Sequence, residues 1–181
     1  MSADLALALV VVAGFALGFF RGVVRQLLAL GAWAVIFVAA AHLRVPLGDW
    51  LASSSPEYGL EYATMLAFAV LFIAGFGVAL VLVEFGGAPS KLARHPVIDD
   101  LLGAALGVVL AIVVLGALMA VMDTYFGRFE ATGRGEIGWL REMHRAIADS
   151  TIGRALDEWV VRGMGMLLGP LLPADVRNAL A

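Results

Sequence analysis

The chain has 181 residues, of which 62% are hydrophobic and 15% are charged, and its net charge at pH 7 is −3. A soluble domain is about 45–50% apolar and about 25% charged, so this composition excludes an ordinary soluble globular domain and indicates a protein that lies in lipid. The weak negative charge provides no basic field for nucleic acid, and the lack of cysteine excludes disulfides and thiolate chemistry.

Two arginines, Arg21 and Arg25, interrupt the first hydrophobic block. Uncharged stretches lie on either side of them, over residues 5–20 and 26–43. One continuous helix over both stretches would be about 58 Å long, nearly two membrane thicknesses. It would also place two arginines at its centre, and an arginine at mid-bilayer costs about 2.5–3.5 kcal/mol. We therefore predict two short membrane segments that meet at a charged turn.

Gly18 and Gly22 can supply that turn, and the arginine side chains can reach the headgroups by snorkelling. Both segments are short, so the first pair either spans the bilayer or is re-entrant. A cleaved signal peptide is the competing explanation of the N-terminus. It requires a basic first region, whereas the chain starts with "MSAD" and its first charged residue is Asp4. We expect no such peptide.

The next two membrane segments are uncharged over 22 residues each, at positions 62–83 and 101–122. Each reaches about 33 Å as a helix, enough to cross a hydrocarbon core of about 30 Å. The short connections on one side hold Arg21, Arg25, Lys91 and Arg94, whereas the predicted loop over residues 44–61 has one base and three acids. By the positive-inside rule, the basic side is cytoplasmic and both termini face outward.

Small residues recur at four-residue spacing in the first and last membrane segments. The positions are Gly14, Gly18 and Gly22 in the first and Gly103, Gly107 and Ala111 in the last. In lipid this spacing lets helix backbones approach closely, so we predict a packing role. Because the chain has 21 glycines, chance is the competing explanation.

Asp99 and Asp100 precede the last membrane segment. An aspartate at a helix start caps free N–H groups and suits the positive end of the helix dipole. Alternatively, Asp99 pairs with Arg21 or Arg25, since all three are expected on the same membrane face. Such a pair would hold the first hairpin to the last helix.

Charge rises sharply beyond residue 122. Residues 1–122 carry five Lys or Arg and seven Asp or Glu, whereas residues 123–181 carry seven Arg and eight acids. We divide the chain into a helical membrane domain, 4–122, and a charged tail, 123–181. The tail has apolar residues at helical spacing on both sides of Ser150, a predicted N-cap. Such an amphipathic helix lies on the bilayer or on the protein's own helices, or binds a partner. The predicted fold is therefore an all-α membrane protein with about four transmembrane or re-entrant helices followed by an amphipathic helical tail.

No pattern in the chain indicates catalysis. Its three histidines, His42, His95 and His144, lie in different segments without the spacing of metal ligands. No serine has a nucleophile-elbow motif around it, and "GGAPSKLARHP" lacks the spacing of a phosphate-binding loop, which makes a turn and a short interfacial helix the expected structure there. We expect no enzyme activity, no metal and no cofactor.

Three stretches of the chain form a familiar pattern: Asp4 with an apolar run and "GFFRGVVRQLLALGAW", then "HPVIDDLLGAALGVV", and the weaker "IADSTIGRALDEWV". They resemble the colicin V production protein (CvpA) family. Together they extend over residues 4–165. The chain departs from the family pattern at Asp100, where the family often has arginine, and at residues 108–111, which lack the Arg-Gly of some members.

The resemblance implies a small multi-pass protein of the bacterial inner membrane with four membrane helices. It also implies a role in toxin (colicin V) biosynthesis or export, or in envelope homeostasis, and it supplies no catalytic residues. Two classes of function remain open: a non-enzymatic scaffold or accessory factor, and a small oligomeric transporter or channel subunit. The expected partners are the lipid bilayer, a second copy of the chain, or an export or envelope membrane protein.

Overall fold

The computed structural model describes residues 2–55, 59–86, 96–126 and 138–177, and every regular element in these ranges is helical. Three long helices come first: α1 (Ser2–Ser54), α2 (Leu60–Phe85) and α3 (Pro96–Phe126). All three are long and apolar enough to cross a membrane. The predicted all-α class is confirmed, and the predicted segments 62–83 and 101–122 lie inside α2 and α3.

The tail consists of shorter helical pieces. They are α4 (Gly138–Ala148), α5 (Thr151–Ala155), a π-helical turn (Leu156–Val161), α6 (Arg162–Leu168), a 3-10 turn (Gly169–Leu171) and α7 (Ala174–Arg177). Ser150 is the N-cap of α5, as predicted, because its hydroxyl accepts a hydrogen bond from the Gly153 N–H at 2.9 Å.

The long helix α1 is interrupted at Gly22. This residue has φ 75° and ψ 173°, a backbone conformation that only glycine adopts readily. We call residues 2–21 the first arm and residues 23–54 the second arm. The break falls between Arg21 and Arg25, where the sequence predicts a turn.

The neighbours of the first arm fix its direction. Gly14 lies against Ala111 and Gly107, whereas Gly18 lies against Gly107 and Gly103. The residue numbers of the contacts on α3 therefore decrease as the residue numbers on α1 increase. The first arm runs antiparallel to α3.

The second arm runs the opposite way. Its paired positions on α2 are Gly48 with Thr64, Ile36 with Gly75, and Arg25 with Glu84. These pairs make it antiparallel to α2. The start of α2 meets the end of α3, because the rings of Tyr62 and Tyr125 are 5.5 Å apart in edge contact. The second arm consequently runs parallel to α3, and the chain reverses direction at Gly22.

The core lies between the second arm, α2, α3 and the tail. Phe37 is at its centre: the ring stacks on Trp33 at 5.6 Å and makes edge contacts with Phe68 and Phe72. The same cluster includes four residues of the tail, namely Val161, Met164, Leu172 and Val176. The tail therefore buries its apolar side against the long helices.

One predicted boundary is wrong. Residues 44–54, expected to begin a loop, continue α1 through Pro46 to Ser54. A proline inside a helix costs about 3 kcal/mol, but this part of α1 packs on α2, with Gly48 against Thr64. The predicted turn and interfacial helix before α3, with Lys91, Arg94 and His95, lie outside the described residues.

Candidate functional site

The charged residues that were predicted to pair, Arg21, Arg25 and Asp99, lie close together where α1 reverses, α2 ends and α3 begins. We call this place the Gly22 corner. It consists of Arg21, Gly22, Val23, Arg25, Gln26, Glu84 and Asp99.

Asp99 is the buried acceptor of the corner. Its side-chain oxygen Oδ1 accepts a hydrogen bond from the Val23 N–H at 3.1 Å, and the residue is only 1% exposed. Val23 is the first residue of the second arm, and the first N–H groups of a helix have no partner within that helix. Asp99 therefore serves as a cap supplied from another helix. Asp99 was predicted to cap N–H groups at the start of its own helix, α3. It does accept a hydrogen bond from a helix-start N–H, but that N–H belongs to Val23 of α1.

The two arginines share a different acid. Glu84, at the end of α2, lies 3.3 Å from Arg21 Nε through Oε2 and 2.8 Å from Arg25 Nη1 through Oε1. The predicted pair of these arginines with Asp99 is therefore wrong. Glu84 directly follows the uncharged segment 62–83, on the same side as the arginines, but it was not among the partners predicted for them. Spacing alone could not choose between the two.

Several polar atoms of the corner are buried. Asp99 Oδ2, Arg25 Nε and Gln26 Oε1 have no hydrogen-bond partner among the described residues, and Gln26 is only 2% exposed. Charged and polar groups buried beside one another interact more strongly than they would in water. The corner is therefore a polar centre shielded by packed helices.

Glycines bring the backbones together beside this corner. A Cβ atom at Gly14 would lie 2.6 Å from the Ala111 Cβ, and one at Gly18 would lie 2.9 Å from the Gly107 Cα. A Cβ at Gly103 would lie 2.9 Å from the Gly22 Cα. Each of these distances is shorter than van der Waals contact allows. The structure thus places all five predicted glycines in one interface between α3 and the part of α1 that ends at Gly22.

The opposite end of the first arm holds the start of the tail. Asp4 Oδ1 accepts a hydrogen bond from the Ile152 N–H at 2.9 Å. His144 of α4 and Asp123 of α3 form a second contact, 2.5 Å between Nε2 and Oδ1. Neither contact was predicted, because the partners lie in separate helices, 148 positions apart for Asp4 and Ile152 and 21 positions apart for Asp123 and His144.

The histidines do not meet one another. The ring of His42 lies 2.9 Å from the carbonyl oxygen of Val38, in its own helix, and His144 binds Asp123. His95 is outside the described residues. Across residues 2–55, 59–86, 96–126 and 138–177, no three His, Asp or Glu side chains are grouped so that they could hold a metal ion.

Comparison with known proteins gives one consistent result. The family described as colicin V production protein matches residues 3–152 of this chain. The colicin V production protein homolog of Haemophilus influenzae is 32% identical over 114 residues, which make up 62% of this chain and 66% of the relative. The match thus spans just under two thirds of that relative. No solved structure matches. The predicted family is confirmed, and the family match ends at residue 152, inside the third of the three stretches.

Proposed function

The chain belongs to the colicin V production protein family, and from this premise we propose that it is a non-enzymatic protein of the bacterial inner membrane. Its role would be that of a scaffold or accessory factor in toxin production or export, or in envelope homeostasis. The relative's name supplies the link to colicin V.

The main support is what the charged groups of the Gly22 corner do. Glu84 binds two arginines of α1, and Asp99 binds the Val23 N–H. These contacts join α1 to α2 and α3. Charged residues engaged in helix-to-helix contacts favour a structural role over a chemical one.

The uncharged segments support the same conclusion. Residues 62–83 and 101–122 contain no Asp, Glu, Lys, Arg or His. Transport pathways in membrane proteins are usually lined by ionisable or polar groups inside the spans. A scaffold is therefore favoured over a transporter or channel subunit.

We further propose four membrane segments with both termini on the periplasmic side. The two arms of α1 run in opposite directions, and the first arm, about 30 Å long, matches the thickness of a hydrocarbon core. Arg21 and Arg25 at the reversal favour the cytoplasm for that end.

Cysteine labelling tests this orientation, because the chain has no cysteine of its own. Single cysteines at Ser54 and Arg145 should react with a membrane-impermeant maleimide in intact spheroplasts. A cysteine at Arg94 should react only after permeabilisation. The reverse pattern would invert the proposed orientation, and labelling of all three from outside would exclude four crossings.

The functional proposal is tested in a strain that carries the colicin V genes and lacks its own family member. Expression of this chain should restore secreted toxin activity or resistance to envelope stress. Purified protein in liposomes should leave their permeability to protons and small ions unchanged. A flux that depends on Asp99 or Glu84 would instead establish a transporter.

Gly31→Ala is the control substitution for the complementation and the liposome measurements, since a Cβ atom at Gly31 has no neighbour within 4 Å. This variant should restore the strain as well as the unmodified chain does. Failure of the unmodified chain to restore either phenotype, at a normal membrane level, would contradict the proposed role.

A further inference from the structure

The tail exposes an apolar face that no part of the chain described by the structure covers. Met166 is 76% exposed, Leu167 is 81% exposed and Leu171 is 59% exposed. They lie within residues 163–173, a stretch without any charge. Apolar side chains exposed close together on a tail that is otherwise rich in charge are typical of a surface that contacts protein or membrane.

The depth of this part of the tail can be measured along α3. A Cβ atom at Gly116 would lie 2.7 Å from Val160 Cγ1 and 3.4 Å from Met164 Sδ. Gly116 precedes Asp123, the first charge after the apolar segment of α3, by seven residues. At 1.5 Å per residue, this places the contact about 10 Å below the end of that segment.

Two further contacts mark the outer boundary. Tyr62 at the start of α2 and Tyr125 at the end of α3 are in ring contact, and tyrosines are enriched at membrane interfaces. Ile152, eight residues before Val160, is held by Asp4 at the outer end of the first arm. The tail therefore begins near the boundary and descends toward Gly116.

We infer that residues 159–171 lie in the outer half of the hydrocarbon layer as a re-entrant segment, with Met166, Leu167 and Leu171 against lipid acyl chains. This inference rests on the proposed orientation, in which α3 crosses the membrane with its C-terminal end outward. The depth agrees with that of interfacial helices, whose apolar faces lie about 5–10 Å inside the headgroup boundary.

Lipid is the occupant that the surroundings specify. The patch residues alternate along the tail with Met164, Leu168 and Leu172, which pack in the core cluster that α2 and α3 share with the tail. Val160 and Met164 lie beside Gly116, and apolar surface that is exposed near that depth in a membrane protein meets acyl chains. The charged residues fit this placement, since Arg154, Asp157 and Glu158 precede the deep part, and the exposed Arg162 can snorkel outward.

Fluorescence quenching tests the placement. Single cysteines at Leu167 and Leu171 are labelled with the environment-sensitive fluorophore NBD, and the protein is reconstituted in nanodiscs. Brominated phosphatidylcholine quenches from within the acyl layer, and iodide quenches from water. A cysteine at Val109, exposed on α3 within the uncharged segment, is the lipid-facing control, and one at Arg154 is the water-facing control.

Probes at Leu167 and Leu171 should behave like the probe at Val109: blue-shifted emission, a large loss of intensity with bromolipid and little loss with iodide. Quenching by iodide with none by bromolipid, while Val109 responds to bromolipid, would overturn the inference and leave the membrane role of α3 intact. Protection from both quenchers would mean that protein, such as a second copy of this chain, covers the patch, and it would also overturn the inference. If Val109 itself responds only to iodide, the proposed membrane crossing of α3 fails together with the inference.

Discussion

The two ends of the first arm use the same interaction in different surroundings. At the Gly22 corner, Asp99 accepts a hydrogen bond from Val23, 76 positions away in sequence. At the outer end, Asp4 accepts one from Ile152, 148 positions away. Asp99 is buried, with 1% exposure, whereas Asp4 is partly exposed. An aspartate thus supplies the partner for a distant helix start at both ends, but only Asp4 can be replaced by water.

The difference lies in what surrounds each bond. Around the Gly22 corner, glycine contacts press the first arm directly onto α3, and no side chain separates the two backbones. At the outer end, the tail meets the helices through side chains, such as His144 with Asp123. Side chains can adjust to a change, whereas closely packed backbones cannot. The corner should therefore be the more sensitive of the two ends.

The largest effect is expected from Gly18→Leu. Its side chain would have to displace the backbone at Gly107 and Gly103. Overpacking costs about 1–3 kcal/mol and occasionally more, and here the neighbours are backbone atoms that cannot rotate away. We expect little folded protein in the membrane, measured by detergent-soluble yield and thermal unfolding.

Gly31→Leu is the matched control, because a Cβ atom at Gly31, in the second arm, meets nothing within 4 Å. It should accumulate normally, since leucine favours a helix more than glycine does. Equal yields of the two variants would contradict the close approach of the first arm to α3.

A smaller effect, and a direct comparison of the two ends, comes from removing each carboxylate. Asp99→Ala leaves the Val23 N–H buried without a partner, which costs about 1–3 kcal/mol. Asp4→Ala should cost less, about 1 kcal/mol or below, because water can reach the Ile152 N–H. Denaturant unfolding in a fixed detergent measures both.

Asp99→Asn separates the cap from the charge. The amide oxygen can still accept from the Val23 N–H, so this variant should recover most of the stability lost in Asp99→Ala. If Asp4→Ala is as damaging as Asp99→Ala, burial does not distinguish the two ends. If Asp99→Asn is no better than Asp99→Ala, the negative charge matters more than the hydrogen bond.

The sequence predicted the features that depend on one segment at a time. Uncharged stretches of 22 residues predicted α2 and α3. Two arginines within a hydrophobic block predicted the turn, which the structure places at Gly22. The glycine spacing was visible for the same reason, since residues four apart share one helix face.

Features that depend on two segments could not be chosen from the sequence. Glu84 and Asp99 both lie beside the arginine turn, and only the packing decides which one binds Arg25. The position of the tail was hidden as well. Its uncharged stretch, residues 163–173, is too short to span a bilayer and does not stand out as a membrane segment. Nothing in the sequence indicates that this part of the tail packs beside Gly116.

The smallest expected effect concerns the arginines, and it tests which acid they bind. Arg25→Glu alone and Glu84→Arg alone should each lower stability modestly, because an exposed ion pair contributes about 0–1 kcal/mol and this one is partly shielded. The double variant should recover part of the loss. Recovery should be incomplete, since the arginine introduced at position 84 would also face Arg21.

The discriminating control is the second double variant, Arg25→Glu with Asp99→Arg. Asp99 binds a backbone N–H, so reversing its charge removes the cap and restores no pair. We therefore expect coupling between positions 25 and 84 and none between positions 25 and 99, measured as the difference between the double variant and the sum of the singles. Coupling at 25 and 99 instead would mean that the arginine pairs with the buried acid. The Gly22 corner would then depend on charge, and its difference from the outer end would no longer follow from burial and glycine packing.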